Sequence, residues 1–290
     1  MLVTLNEILP KARNGHYAIP AFDASDYRMA KAIVETAEEL NAPVILMGLP
    51  GDLTDDQFDH LSKDLVGIAE KARVPVCIHL DHATDFELIK KAISQGYSSV
   101  MIDGSSLPLE ENIAITKKIT DYAHQFNVSV EAELGHVGDG IVGSSESSAK
   151  GDSGHDNVYT DENEMKYFIE KTNVDCLAVS FGTSHGVYKV KPELQLDLLA
   201  KLNEESAVPL VVHGGSGTPD DQMKEAIARG ICKVNIFSEI LEAFFSEMKR
   251  QLNELDNMSL WPSAAYKRPI EAMKEKVREK FHLCNTVDKA

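Results

Sequence analysis

Three short segments, far apart in the chain, each carry a histidine beside glycine or aspartate: Ile78-His79-Leu80-Asp81-His82, Phe181-Gly182-Thr183-Ser184-His185-Gly186 and Val211-Val212-His213-Gly214-Gly215-Ser216-Gly217. Each follows or closes a short apolar run of the kind that forms a β-strand. Imidazoles at the ends of separate parallel strands can converge on one point. Neutral imidazole suits Zn²⁺, and three such ligands leave a fourth position for water or a substrate oxygen. His82, His185 and His213 are therefore candidate metal ligands, and the glycines beside them let backbone approach a ligand where a Cβ would collide. Asp81, next to His82, is placed to exchange a proton with a substrate hydroxyl. Glu131 and Glu133 alternate along one apolar run, so both side chains point to one face. Two carboxylates on an inward face are costly unless they bind cations or accept hydrogen bonds. Glu133, nearer the end of its strand, is the one expected beside the metal. Asp103 ends another strand and could hold a monovalent cation, Na⁺ or K⁺. His79 reads as a core or supporting residue.

The segment His213–Gly217 has a second use. It precedes a helix that opens near Pro219. Backbone N–H groups of a glycine-rich turn aimed at one point hold phosphate. Gly182, Gly186, Lys189, Asn235 and Ser238 would complete such a cradle.

The elements that must position these residues alternate. Strand-like runs are read at 17–22, 43–47, 75–80, 98–102, 128–133, 176–181, 209–213 and 232–236, nearly all apolar, as parallel strands covered on both faces are. Between them, segments such as 28–40, 56–71, 86–95, 109–126, 161–171 and 220–229 carry apolar residues at helical spacing, and two more helices are expected at 239–255 and 268–281. Eight strands alternating with helices favour a closed (β/α)8 TIM barrel, an α/β fold with additional C-terminal helices, and such barrels carry their chemistry at the C-terminal ends of the strands. The 290 residues suit one such barrel domain over 1–290, with no internal boundary. The stretch 138–157, rich in serine and glycine, follows the fifth strand at the active end, where a lid would lie.

A net charge of −17 argues against nucleic acid or an anionic membrane as partner. The N-terminus has an amphipathic rhythm without a long apolar core, so it does not read as a signal peptide, and no apolar run is long enough to span a membrane. Cys77, Cys176 and Cys232 lie among apolar strand residues and, with Cys284, form no CxxC, as expected of buried thiols in a reducing cytoplasm. No lysine is expected in an apolar strand, where it could form a Schiff base.

In order, these motifs resemble the class II, zinc-dependent fructose- and tagatose-bisphosphate aldolases. The resemblance is carried by Leu80-Asp81-His82, Met101-Ile102-Asp103-Gly104-Ser105, Val130-Glu131-Ala132-Glu133-Leu134-Gly135, Gly182 to Lys189, His213 to Gly217, and Lys233-Val234-Asn235-Ile236, nearly the whole chain. It implies a metal-dependent lyase that cleaves a phosphorylated ketose to dihydroxyacetone phosphate and an aldehyde. Zn²⁺ on His82, His185 and His213 would polarise the ketone and stabilise the enediolate left when the C3–C4 bond breaks. Asp81 would be the acid/base at the C4 hydroxyl, Glu133 would sit near the metal, and Asn235 near the substrate carbonyl. Gly186, Lys189, Gly214, Ser216 and Ser238 would bind the 1-phosphate. The resemblance also implies a homodimer or homotetramer.

Four departures stand out. Phe22-Asp23 replaces the family's Ala-Phe-Asn. The Glu-Asp pair that removes the C3 proton is missing after the fifth strand, leaving Glu146 or Asp139 as substitutes. Phe237-Ser238 follows Asn235-Ile236, where the family is small or polar. Trp261-Pro262-Ser263, with Lys267 and Arg268 close by, stands where larger members carry an arginine for the distal phosphate. The substrate is thus a ketose 1,6-bisphosphate or a related ketose 1-phosphate with another group at C6. The rival readings are a weakly active paralogue that binds a sugar phosphate, and a metal-dependent hydrolase barrel, which would not need the phosphate-binding set.

Overall fold

The eight apolar runs form a closed ring of parallel strands. The structure, a computed structural model, describes residues 1–50, 56–139, 159–186, 188 and 192–290. In chain order the strands are β1 (Ile19–Asp23), β2 (Val44–Gly48), β3 (Val76–Ala83), β4 (Ser99–Ile102), β5 (Ser129–Leu134), β6 (Gly138–Asp139), β7 (Cys176–Val179), β8 (Ser184–His185), β9 (Leu210–Val212) and β10 (Ile231–Ile236). The barrel closes in the order β1-β10-β9-β7-β5-β4-β3-β2, and β6 and β8 make a separate two-stranded sheet. Most neighbours run in regular register, as from Val44↔Val76 to Gly48↔Leu80 between β2 and β3.

The helices are α1 (Leu5–Gly15), α2 (Tyr27–Glu39), α3 (Gln57–Lys71), α4 (Phe86–Ser94), α5 (Leu109–Ala123), α6 (Glu162–Thr172), α7 (Leu196–Glu205), α8 (Asp220–Ala228), α9 (Ser238–Asn253) and α10 (Pro262–Leu283). Several start where the sequence supplies a cap: Asp26 accepts from Met29 N, Asp85 from Glu87 N, and Asp161 from Asn163 N and Glu164 N. Two helices fall outside the expected set. The amphipathic N-terminus is α1, and α7 lies between β8 and β9. The last helix starts six residues earlier than its expected start, because Pro262 sits at its first turn, where a missing N–H costs nothing.

Two apolar layers result. Inside the barrel, Ile19, Ala21, Ile45, Met47, Cys77, Cys176, Val211 and Cys232 pack with Leu5, Ile8 and Leu9 of α1, so α1 closes the end opposite the histidines. A larger outer layer joins the other faces of the strands to the surrounding helices. All four cysteines are buried free thiols. Among the described residues, no helix is long and apolar enough to cross a membrane.

Candidate active site

The barrel brings the three histidines together by three different local devices. His82, one residue before the end of β3, has a left-handed backbone, φ 45°, and the β3–β4 register slips between Leu80 and Ala83. In a regular strand Asp81 and His82 would point to opposite faces. The bulge re-aims the chain so that both reach the site. His213 follows β9 directly. His185 does not end a barrel strand, as the sequence suggested. The barrel strand β7 stops at Val179, and His185 belongs to β8, held by pairing with Asp139 of β6.

Ligand atoms of His82, His185 and His213 all lie within 4.8 Å of one another. Their rings are 4.6 to 5.7 Å apart, centroid to centroid. His82 Nδ1 is 3.0 Å from Asp103 Oδ2, and Asp103 Oδ1 accepts from the amide and hydroxyl of Ser105 at 3.0 and 2.7 Å. His213 Nε2 is 2.9 Å from Glu131 Oε1. Imidazoles backed by carboxylates in this way present their remaining nitrogen to a metal. His213 Nδ1 and Glu133 Oε2 are 3.3 Å apart, both buried, without a well-formed hydrogen bond. Two further clusters of potential ligands occur: His82 with Asp103 and Glu133, which shares His82, and His79 with Asp81 and Glu131. Among the described residues, the carboxylates Asp81, Asp103, Glu131 and Glu133 thus surround the imidazoles, against the ammonium of Lys233. That excess of negative charge out of bulk water fits a bound cation.

The charges shape one another. Burial disfavours an imidazolium at His82, but Asp81 and then Asp103 outweigh it and raise its pKa well above the ordinary value. Burial and the other two rings hold His185 well below that value, so it stays a neutral donor of a lone pair. Burial and the charge of Lys233 lower His79 to about 3, and its Nδ1 lies 2.8 Å from the Ser99 hydroxyl. Burial opposes the Asp81 carboxylate, yet His82 and Lys233 keep its pKa below the usual range.

Lys233 corrects one expectation. It lies in apolar strand β10, fully buried. Its ammonium is 3.0 and 2.9 Å from the two oxygens of Glu131 and donates to Asn235 Oδ1 at 2.7 Å. Burial alone would neutralise it, but Glu131 raises its pKa instead. A Schiff base needs a free amine, so this lysine is not set up to form one. Asn235 turns its amide to Asp81, donating to Oδ1 and Oδ2 at 3.2 and 3.3 Å.

The glycine-rich segment turns beside these rings. Gly214 has φ +66°, and a Cβ there would lie 2.3 Å from Ser184 O, so only glycine fits. The Tyr188 hydroxyl ties this turn to the loop after β7. It accepts from Ser184 N at 2.9 Å, donates to Gly214 O at 2.9 Å and is 3.0 Å from Thr218 Oγ1. Gly217 N donates to Glu239 Oε1 at 2.5 Å, and buried Ser216 accepts from Phe237 N at 3.0 Å. Ser238 opens α9, and Gly186 has φ +77° just after His185. A small cavity of about 10 Å³ at this end is lined by Asp23, Leu49, Asp81, His82, His185 and Asn235.

Sequence reasoning did not place Asp23, Lys233 or Tyr188 in the site. Asp23 is 3 % exposed and lines the cavity directly. Lys233 and Asn235 alternate along β10 as Glu131 and Glu133 do along β5, which was the available signal. Lys189 and Glu146 lie outside the described residues, as does most of the stretch 138–157. Ser263 is exposed at the start of α10, and Arg268 is engaged by Glu247 and Glu254 at 2.7 and 2.6 Å.

Known proteins resemble this chain in sequence and fold. The chain is 37% identical to the D-tagatose-1,6-bisphosphate aldolase subunit GatY of Klebsiella oxytoca over 287 residues, 98% of this chain and 97% of that protein. The crystal structure of the YdjI aldolase from Escherichia coli K12 superposes with a TM-score of 0.88 at 33% identity, covering 100% of both chains. A fructose-bisphosphate aldolase structure from Campylobacter jejuni matches with a TM-score of 0.79 over 100% of this chain and 97% of that one. At 23% identity, it speaks to the fold alone. The family model for class-II fructose-bisphosphate aldolase matches residues 3–289. With that match running from end to end, and histidines, aspartate and glycine turn at one barrel mouth, the chain belongs to the class II fructose-bisphosphate aldolase family.

Proposed function

We propose that this chain is a zinc-dependent aldolase that cleaves a ketose 1-phosphate, with or without a second phosphate, into dihydroxyacetone phosphate and an aldehyde. The observation that carries the proposal is the convergence of His82, His185 and His213 beside Asp81 and above a glycine turn. The three imidazoles would hold Zn²⁺, with Asp103 behind His82 and Glu131 behind His213. The metal would polarise the ketose carbonyl and stabilise the negative charge that develops as the C3–C4 bond breaks.

The chain's own residues do the rest. Asp81, ionised and aimed by the Asn235 amide, takes the proton of the C4 hydroxyl and returns it in condensation. Glu133, against His213, restrains that ring and adds negative charge next to the cation. Gly186, Gly214, Ser216 and Ser238, with Lys189, bind the 1-phosphate, assisted by the opening of α9. Glu146 serves as the acid/base for the C3 proton. Asp103 offers a place for a monovalent cation.

At the far end of the substrate, the described residues assemble no arginine clamp. Ser263 is exposed, Arg268 is spent on two glutamates, and Asp23 adds a carboxylate to the cavity wall. A carboxylate there disfavours an anionic group and accepts from a hydroxyl. The C6 group is therefore treated differently from that of enzymes with the arginine, and tagatose or fructose 1,6-bisphosphate competes with 1-phosphates bearing another group. The protein is proposed to work as a single barrel domain, in the cytoplasm, where its four buried thiols remain reduced, as a homodimer or homotetramer.

Steady-state cleavage across a panel of ketose phosphates tests this reading. Release of dihydroxyacetone phosphate from a 1-phosphate is expected, and no cleavage of any 1-phosphorylated ketose contradicts it. A preference of a thousandfold or more for fructose 1,6-bisphosphate contradicts the reading of the C6 end.

A further inference from the structure

Lys233 has no task in the reaction just described. Lysine is almost never fully buried unless paired, and here it sits at zero exposure inside the barrel. Its ammonium donates to Glu131 Oε1 at 3.0 Å and to Asn235 Oδ1 at 2.7 Å, and pairs in charge with Glu131 Oε2 at 2.9 Å.

Each acceptor passes the constraint on. Glu131 faces His213 Nε2 at 2.9 Å, and a carboxylate there requires the proton on Nε2, which leaves the Nδ1 lone pair for the metal. Asn235 can lie either way round as an amide. With its oxygen taken by the ammonium, its NH₂ must face Asp81, where it meets both carboxylate oxygens at 3.2 and 3.3 Å. A reversed amide would set its NH₂ against the Lys233 ammonium, donor to donor, and its carbonyl against the Asp81 carboxylate, acceptor to acceptor. One ammonium thus reaches a metal ligand through a carboxylate and the acid/base through an amide.

We propose that Lys233 is a positioning residue that sets, together, the tautomer of His213 and the aim of Asp81. It rests on the roles proposed above for those two residues.

The competing explanation is a plain structural ion pair. Lys233→Met removes the ammonium, and Lys233→Met/Glu131→Gln removes both charges, so no carboxylate is stranded in the core. Four readouts separate the cases: thermal unfolding, Co²⁺ affinity against a chelator, the visible spectrum of the Co²⁺-loaded protein, and kcat and KM for the parent's substrate. We expect the double variant to unfold near the parent temperature. It should bind Co²⁺ about 10- to 100-fold more weakly, the range for lost supporting partners of a metal ligand, with a changed spectrum. We expect kcat to fall about 100-fold with KM nearly constant. Parental affinity, spectrum and kcat in the folded double variant would overturn the proposal. If neither variant folds, ¹⁵N shifts of His213 in the Zn²⁺-loaded parent decide. A proton on Nε2 supports the proposal and a proton on Nδ1 overturns it. A parent that binds no metal and cleaves no ketose phosphate fails the functional reading itself, before any variant is compared.

Discussion

Replacing Gly214 with alanine should damage the metal site and the phosphate turn with one methyl group. A Cβ at this position would stand 2.3 Å from Ser184 O, 2.6 Å from Ser184 C and 3.1 Å from Ser184 N. All three are backbone atoms, so no rotamer relieves the contact. An ordinary carbon–oxygen approach is about 3.3 Å, and the two segments must therefore part by about 1 Å. The residue's φ of +66° adds roughly 1–2 kcal/mol for any side chain but glycine's. The displaced segments carry His185, next to Ser184, and His213, next to Gly214. A misplacement of about 1 Å can cost about a hundredfold in rate, or about 2.7 kcal/mol in the barrier. We therefore expect Gly214→Ala to lose about a hundredfold or more in kcat/KM, with weaker metal binding and a lower Tm. Gly67→Ala is the control. Gly67 lies within α3 with nothing within 4 Å of a built Cβ, and alanine there should be neutral or stabilising by up to about 1 kcal/mol. Gly214→Ala with kcat/KM within threefold of the parent and unchanged metal content would refute the reasoning.

Three further outcomes follow from the site. Asp81→Ala keeps all three imidazoles and should keep its metal, but lose about a hundred- to ten-thousandfold in turnover; elemental analysis beside kinetics checks both halves, and near-full turnover excludes the role. Glu146→Gln should block exchange of the dihydroxyacetone-phosphate C3 proton with solvent while binding persists, as seen by NMR, and unchanged exchange moves that role to Asp139 or Asp152. Asp23→Asn removes a buried carboxylate from the cavity wall and should raise kcat/KM for 1,6-bisphosphates relative to 1-phosphates uncharged at C6; an unaltered ratio rules out Asp23 as a determinant at that end.

The barrel was legible because parallel strands covered on both faces must be apolar almost without interruption. All eight runs became barrel strands, with ends shifted by a few residues. The candidate ligands were legible because histidine beside glycine or aspartate after three separate apolar runs is an uncommon pattern. Local geometry was not. His185 hangs on a two-residue strand whose partner, β6, has no apolar pattern to betray it. The left-handed turn at His82 depends on a bulge against β4 that only the pairing reveals. Lys233 was passed over although it lies inside the run read at 232–236, because nothing local in that run shows the partner that keeps its charge. Its burial depends on Glu131, 102 positions away in the chain. Asp23 was noticed as a departure, but its place on the cavity wall needed the fold. The aim of Asn235 at Asp81, 154 positions away, likewise follows from barrel closure and not from any local signal.

The most direct test is metal content and cleavage measured on the same preparation before chelation, after chelation and after titration with Zn²⁺. About one metal per subunit is predicted, with release of dihydroxyacetone phosphate lost in step with its removal and restored in step with its return. Undiminished cleavage by metal-free protein in excess chelator would contradict a reaction centred on His82, His185 and His213.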